Sequence, residues 1–226
     1  AAYGAAYCLS CVVVTNKELR DEALEDKGLT GEQYDKIQQL GNLPGDADGQ
    51  SGGKENVSSR ETDPDTLDLC KRRILKIAEI GGFRFLARLL SSSTVVSEPT
   101  RELCAMAVCR MCIQLSVRGL AVQQGVLKAC SEIASNPKLQ RALRKSAAHA
   151  VAKILVTTDP NLLSEHLRVG CVSALLHLCG ESGCNNLQHF EACLSLTNLM
   201  SCGYAEHENF FLLKGIHTIH FLMFSD

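Results

Sequence analysis

The chain has 226 residues, 46% of them hydrophobic, with 17 glycines and only 5 prolines, a composition that supports a full-sized core. A net charge of −2 excludes nucleic-acid affinity arising from average charge, and no apolar run reaches the roughly 18 residues that span a bilayer. Neither nucleic acid nor membrane is expected as a partner, and a cytoplasmic location is expected because AAYGAAYCLS lacks the basic flank and cleavage site of a signal peptide.

In chain order, the opening AAYGAAYCLSCVVV reads as the last helix of a repeat whose first two helices are missing, so residues 1–41 are assigned to the end of one or more preceding repeats. Residues 42–66 carry four Gly, two Pro, six acidic residues against two basic ones, and no aromatic. Such a segment buries too little surface to offset the entropy of ordering and reads as a flexible acidic insertion. From residue 67 to 226 helical repeats resume. The end at MFSD leaves the last repeat without its final helix, so the chain reads as an excised fragment.

The repeat is marked by Gly82, Gly125, Gly170 and Gly215, spaced 43, 45 and 45 residues apart. Counted from each glycine, positions +1, +4 and +8 are apolar: Phe83, Leu86, Leu90; Val126, Ala129, Ile133; Cys171, Ala174, Leu178; Ile216, Ile219, Met223. One helix face thus recurs four times. Longer amphipathic stretches, about 98 to 115, 137 to 156 and 185 to 202, follow in the first three units. Asn136 before Pro137 and Asp159 before Pro160 place a capping side chain ahead of a proline suited to a first helical turn. A unit of short helix, Gly corner, helix and long helix, with no strand signal, predicts an all-α fold, an armadillo-repeat right-handed superhelical solenoid whose concave side is lined by the third helices.

The chemistry of catalysis is absent from the pattern. There is no phosphate loop, GxSxG or HExxH, and no enzyme activity or cofactor is expected. The CxxC pairs Cys8/Cys11 and Cys109/Cys112 and the HTIH pair His217/His220 lack a second ligand pair, so they read as core residues and no metal is expected. One charged feature stands out. On the stretch PKLQRALRKSAAHAVAKIL, Lys138, Arg141, Lys145 and His149 share one arc at about 100° per residue, with Lys153 beside it and apolar residues opposite. No acid lies between Glu132 and Asp159. The stripe is either a solvated face or a groove wall that presents positive charge to a partner. One repeat later, LQHFEACLSLTNLMS sets Leu194, Leu196 and Leu199 toward the core. Phe190 is expected to fill it, and Asn198 either clamps an extended backbone or is satisfied inside the stack.

These residues carry a resemblance. LQHFEACLSLTNL closely resembles the LQNFEALMALTNL run of the UCS family of myosin co-chaperones, matching at Leu187, Gln188, Phe190, Glu191, Ala192, Leu194, Leu196, Thr197, Asn198 and Leu199. AAHAVAKIL is similar to that family's AAQALAKLT, with Lys153 matching. RGLAVQQGVLKA is similar to RGTVVAQGGGKA, and Arg101, Glu102 and Leu103 fit an SREL-type run. The resemblance implies an armadillo groove that holds the myosin motor domain and assists its folding and assembly. It acts with a cytosolic ninety-kilodalton heat-shock-class chaperone, engaged through a TPR domain whose pattern this chain lacks. Arg141, Lys145, His149, Lys153, Gln188, Glu191 and Asn198 are the client-groove candidates. The alternative is a generic armadillo adaptor that grips an extended peptide of another partner.

Overall fold

The computed structural model describes residues 2–14 and 67–224. The 42–66 insertion and most of the assigned 1–41 segment lie outside the described residues. The chain divides into two compact units, Ala1–Val13 with Lys71–Asp226, and Val14–Cys70. Among the described residues there are eleven α-helices and no strand: α1 (Ala2–Val12), α2 (Leu67–Glu79), α3 (Gly82–Ser91), α4 (Glu98–Met111), α5 (Arg118–Gln123), α6 (Val126–Ala134), α7 (Arg141–Leu155), α8 (Glu165–Cys179), α9 (Asn186–Met200), α10 (Tyr204–Leu212) and α11 (Gly215–Phe224).

The helices sort into layers that follow the repeat. The long third helices α1, α4, α7 and α9 pack each against the next, and the second helices α3, α6, α8 and α11 form a parallel series. This is an all-α, armadillo-like solenoid in which each unit buries its apolar face against its neighbours. The core is the expected one in three units. Phe83, Leu86 and Leu90, Val126, Ala129 and Ile133, and Cys171, Ala174 and Leu178 are all buried. In the fourth unit no third helix follows α11 among the described residues, and Ile216 and Met223 stand 57% and 70% exposed.

The periodic glycines do different jobs. Gly125 is itself left-handed (φ 86°), a conformation that glycine adopts without a Cβ penalty. In the first unit Gly81 takes that role (φ 93°), and in the fourth Lys214 does (φ 57°). Gly82 and Gly215 instead open the next helix, where a Cβ would overlap Ile77 or the Phe210 ring. Gly170 departs from the expectation of a corner. It sits inside the uninterrupted α8, and its missing side chain lets α6 approach, since a Cβ there would lie 3.1 Å from Ser131 Oγ.

Two helix boundaries are also corrected. The stretch expected from 98 to 115 ends at Met111, and a 3₁₀ turn, Leu115–Val117, follows it. Arg118 Nε closes the end by donating to Cys112 O (2.8 Å). The stretch expected from 137 begins at Arg141. Asn136 Oδ1 accepts from Lys138 N (3.1 Å), so the Asn-Pro pair shapes a turn ahead of the helix and Lys138 lies outside it. Asp159 caps as expected, but its helix is only the 3₁₀ turn Pro160–Leu162.

Within each of three units, a polar side chain ties the third helix to the second. Arg101 Nε donates to Leu90 O (2.8 Å) and Arg144 Nε to Ala134 O (3.2 Å), while His189 Nε2 lies 3.3 Å from Glu181 O. One side chain per unit, at the same register, thus meets carbonyls at the end of the preceding second helix, which lack helical partners. Among the described residues no single helix is long and apolar enough to cross a membrane.

Candidate functional site

The candidate residues converge on the seam between α7 and α9. The start of α9 is fixed by a reciprocal cap: Asn185 Oδ1 accepts from Gln188 N (2.9 Å), and Gln188 Oε1 accepts from Asn185 N (3.0 Å). That cap aims the Gln188 amide at α7, where its Nε2 lies 3.2 Å from His149 Nδ1. The other ring nitrogen of His149 is 3.0 Å from Glu191 Oε2, and Lys153 Nζ is 2.9 Å from Glu191 Oε1. His149, Lys153 and Glu191 are only 18%, 12% and 14% exposed.

Burial works against the Glu191 carboxylate, yet His149 and Lys153 outweigh it and hold it below the usual carboxylate range. Burial likewise opposes charge on His149, but the Cys109 sulfur and Glu191 prevail and push the ring up to about 9. The cluster thus gathers His149 and Lys153 around one carboxylate, a buried network whose members hold one another in register.

Toward the N-terminus of α7 the same logic continues on the surface. Arg141 forms a hydrogen-bonded ion pair with Glu181 and donates to Ser182 Oγ (2.7 Å), and Lys145 Nζ donates to Gly183 O (2.8 Å). The Arg141 contact, opposed by burial, holds the Glu181 carboxyl below its ordinary range. The basic stripe is thus laced to the next unit along its length. Asn198, at the far end of α9, donates through Nδ2 to Leu155 O (3.0 Å) and Thr158 O (2.9 Å), where it caps the C-terminus of α7.

Phe190 and Leu194 depart from their expected places. Leu187, Phe190 and Leu194 are 59%, 63% and 40% exposed, while Ala192, Leu196 and Leu199 are buried. At helical spacing the first three lie opposite the buried set, so they form an apolar row on the side of the third-helix layer that faces away from the core. With the 45-residue period, Phe190 holds the register of Lys145 and Leu194 that of His149. One unit earlier, at a period of 43, stand Glu102 and Met106. Burial raises the Glu102 carboxyl, and Lys145 pulls it partly back. The face therefore runs from mixed charge on α4 and α7 to exposed apolar side chains on α9.

Sequence reasoning missed Glu181, Ser182 and Gly183, which lie in a short loop without periodicity. A signal was nonetheless present. Arg141 and Glu181 are 40 residues apart, and His149 and Lys153 precede Glu191 by 42 and 38, so opposite charges about one period apart read as lateral neighbours. A cleft of about 270 Å³ between α6 and α8, bordered by Lys128, Ser131, Ser164 and His166, contains none of these residues. Among the described residues no group of three or more His, Cys, Asp or Glu is placed to hold a metal ion. Cys8 is exposed rather than a core residue, whereas Cys109 and Cys112 are buried.

No family model matches the chain. Protein unc-45 homolog B of mouse and of human are each 28% identical to it over 162 residues, 72% of this chain and 17% of the relative. The structure of UNC-45 from Drosophila melanogaster superposes with a TM-score of 0.61 at 26% identity, covering 69% of this chain and 19% of that one. A second UNC-45 structure, described for chaperone features critical for binding and folding muscle myosin, gives 0.59 at 21% identity over 72% of this chain and 18% of its own. The chain thus spans less than a fifth of the length of these relatives. By sequence and by fold together, the chain is similar to a UNC-45-type armadillo-like region.

Proposed function

We propose that the third-helix face is the groove by which this region, as part of a co-chaperone, holds the myosin motor domain and assists its folding and assembly. The observation that carries the reading is the exposed row Leu187, Phe190 and Leu194, three large apolar side chains on a face away from the core. Side chains of that kind are a cost in water unless a partner covers them. The likeness to a chaperone described as binding and folding muscle myosin supports the choice of client. Arg141, Lys145, His149, Lys153, Gln188 and Glu191 give the face its polar border, and Asn198 holds the end of α7 in place beside it. A ninety-kilodalton heat-shock-class chaperone would act through parts outside this chain.

The test is heat-induced aggregation of a purified myosin motor domain, followed by light scattering with and without this chain, beside citrate synthase as an unrelated client. Selective protection of myosin that is lost in Phe190→Asp is the expected result. Equal protection of both clients, or none, overturns the reading. Capture of an extended peptide in place of the folded motor would instead favour a generic armadillo adaptor.

A further inference from the structure

Several thiols of this chain are shut away from chemistry. Cys104, Cys112 and Cys171 are buried, and burial pushes each up to about 12, far from the thiolate form that reacts. Cys179 and Cys193 are different. Cys179 closes α8 and is 2% exposed, whereas Cys193 lies half-buried on α9. Their helices pack as neighbours, and that brings the two Sγ atoms to 4.0 Å across a separation of 14 residues. The contact makes the pair unequal. A hydrogen bond from Cys179 stabilises the Cys193 thiolate and, against burial, brings that thiol down to about 7, while the same contact and burial push Cys179 up. A partly exposed sulfur with thiolate character beside a buried resolving one is the arrangement that peroxide-sensing thiols need.

We propose that Cys193 and Cys179 form a hydroperoxide-sensitive pair, in which oxidation joins the second helix of this unit to its third by a disulfide. The Cys193 thiolate attacks hydrogen peroxide, forming an S–O bond as the O–O bond breaks, and the departing hydroxide takes up a proton to become water. Oxidation removes the Cys193 thiolate charge that had held the Cys179 proton, and the Cys179 sulfur then attacks the sulfenic sulfur of Cys193. The S–S bond forms, the S–O bond breaks, and hydroxide leaves with the Cys179 proton as a second water. Two thiols are oxidised by two electrons and one peroxide is reduced to two waters. An S–S bond of about 2.0 Å requires the sulfurs to close by about 2 Å. The bond would staple α9, which carries Leu187, Phe190 and Leu194, to the buried α8.

The experiment uses the reduced chain treated with limiting hydrogen peroxide, digested without reductant and analysed by mass spectrometry. The expected product is a Cys179–Cys193 linked peptide lacking two hydrogens, which accumulates before adducts at the exposed Cys8. In Cys179→Ser, Cys193 should stop at the sulfenic acid and be trapped by dimedone. Without peroxide, limiting iodoacetamide at pH 7 should label Cys193 about tenfold faster than an ordinary free cysteine. A linkage of Cys193 to Cys184 or to a second chain, or alkylation of Cys193 no faster than that of Cys8, overturns the proposal. Because the linked peptide is read from the unmutated chain, the result does not depend on how Cys179→Ser folds.

Discussion

At the scale of single residues, Glu191 is the hinge of the α7–α9 seam. Replacing it with Gln leaves His149 and Lys153 facing a neutral amide in a nearly buried site, and the expected cost is about 2–3 kcal/mol, read by chemical denaturation. The pH dependence follows from the two shifts. His149 is raised above its ordinary 6.5, so its contribution is complete below about 6.5 and is lost as pH rises through about 9. Glu191 is lowered from 4.5, so its contribution is present above about 4.5 and is lost as pH falls through its lower folded value. Thermal melts should therefore decline between about pH 6.5 and 9, and His149→Gln should flatten that decline. Phe190, 63% exposed, behaves oppositely to a core aromatic. Phe190→Ala should cost less than about 1 kcal/mol, against the roughly 3–5 of a buried Phe, while weakening client protection. Lys145 and Lys153 share a stripe in the sequence but not a role. Lys153 is 12% exposed against Glu191, so Lys153→Glu sets two carboxylates together, whereas Lys145 reaches only a surface carbonyl.

Among helices, the period was legible and its uses were not. Gly125 and Gly170 occupy the same repeat position, yet only Gly125 has a positive φ; Gly170 lies in a helix against Ser131. Gly125→Ala should destabilise by about 1 kcal/mol through left-handed strain. Gly170→Ala should fall within about 0.5 kcal/mol of neutral, because the gain in helix propensity offsets a contact that the Ser131 hydroxyl can relieve by rotating. Urea midpoints of the two variants decide between these expectations. A spacing in one-letter code records that glycine recurs, but conformation and close approach both ask for glycine. The same limit explains Phe190 and Leu194. An apolar residue at helical spacing names a face, and only the neighbouring helices determine whether that face is covered. The inter-unit ion pairs were closer to legible, because a repeat turns sequence distance into lateral distance.

The whole molecule is a stack in which each unit is stabilised mainly by its neighbours, and so its stability is graded along the chain. Hydrogen exchange read by mass spectrometry should be slowest in Leu143 to Leu155 of α7, which packs against α4, α6, α8 and α9. Among the described helices it should be fastest in α10 and α11, where Phe211, Leu212, Phe221 and Phe224 are all more than 60% exposed. Uniform exchange would mean that the units fold as one block. The lacing of α7 has a further consequence for encounter with any partner. Arg141, Lys145, His149 and Lys153 spend their hydrogen bonds on Glu181, Gly183 and Glu191, so much of the row's field closes inside the stack. A surface of that kind draws little from a distance, and association should slow only slightly between low and physiological ionic strength. On the proposed groove reading, selection comes on contact, by the fit of apolar side chains to Phe190 and its neighbours after collision, so discrimination between clients would be set by how long a complex lasts rather than by how quickly it forms.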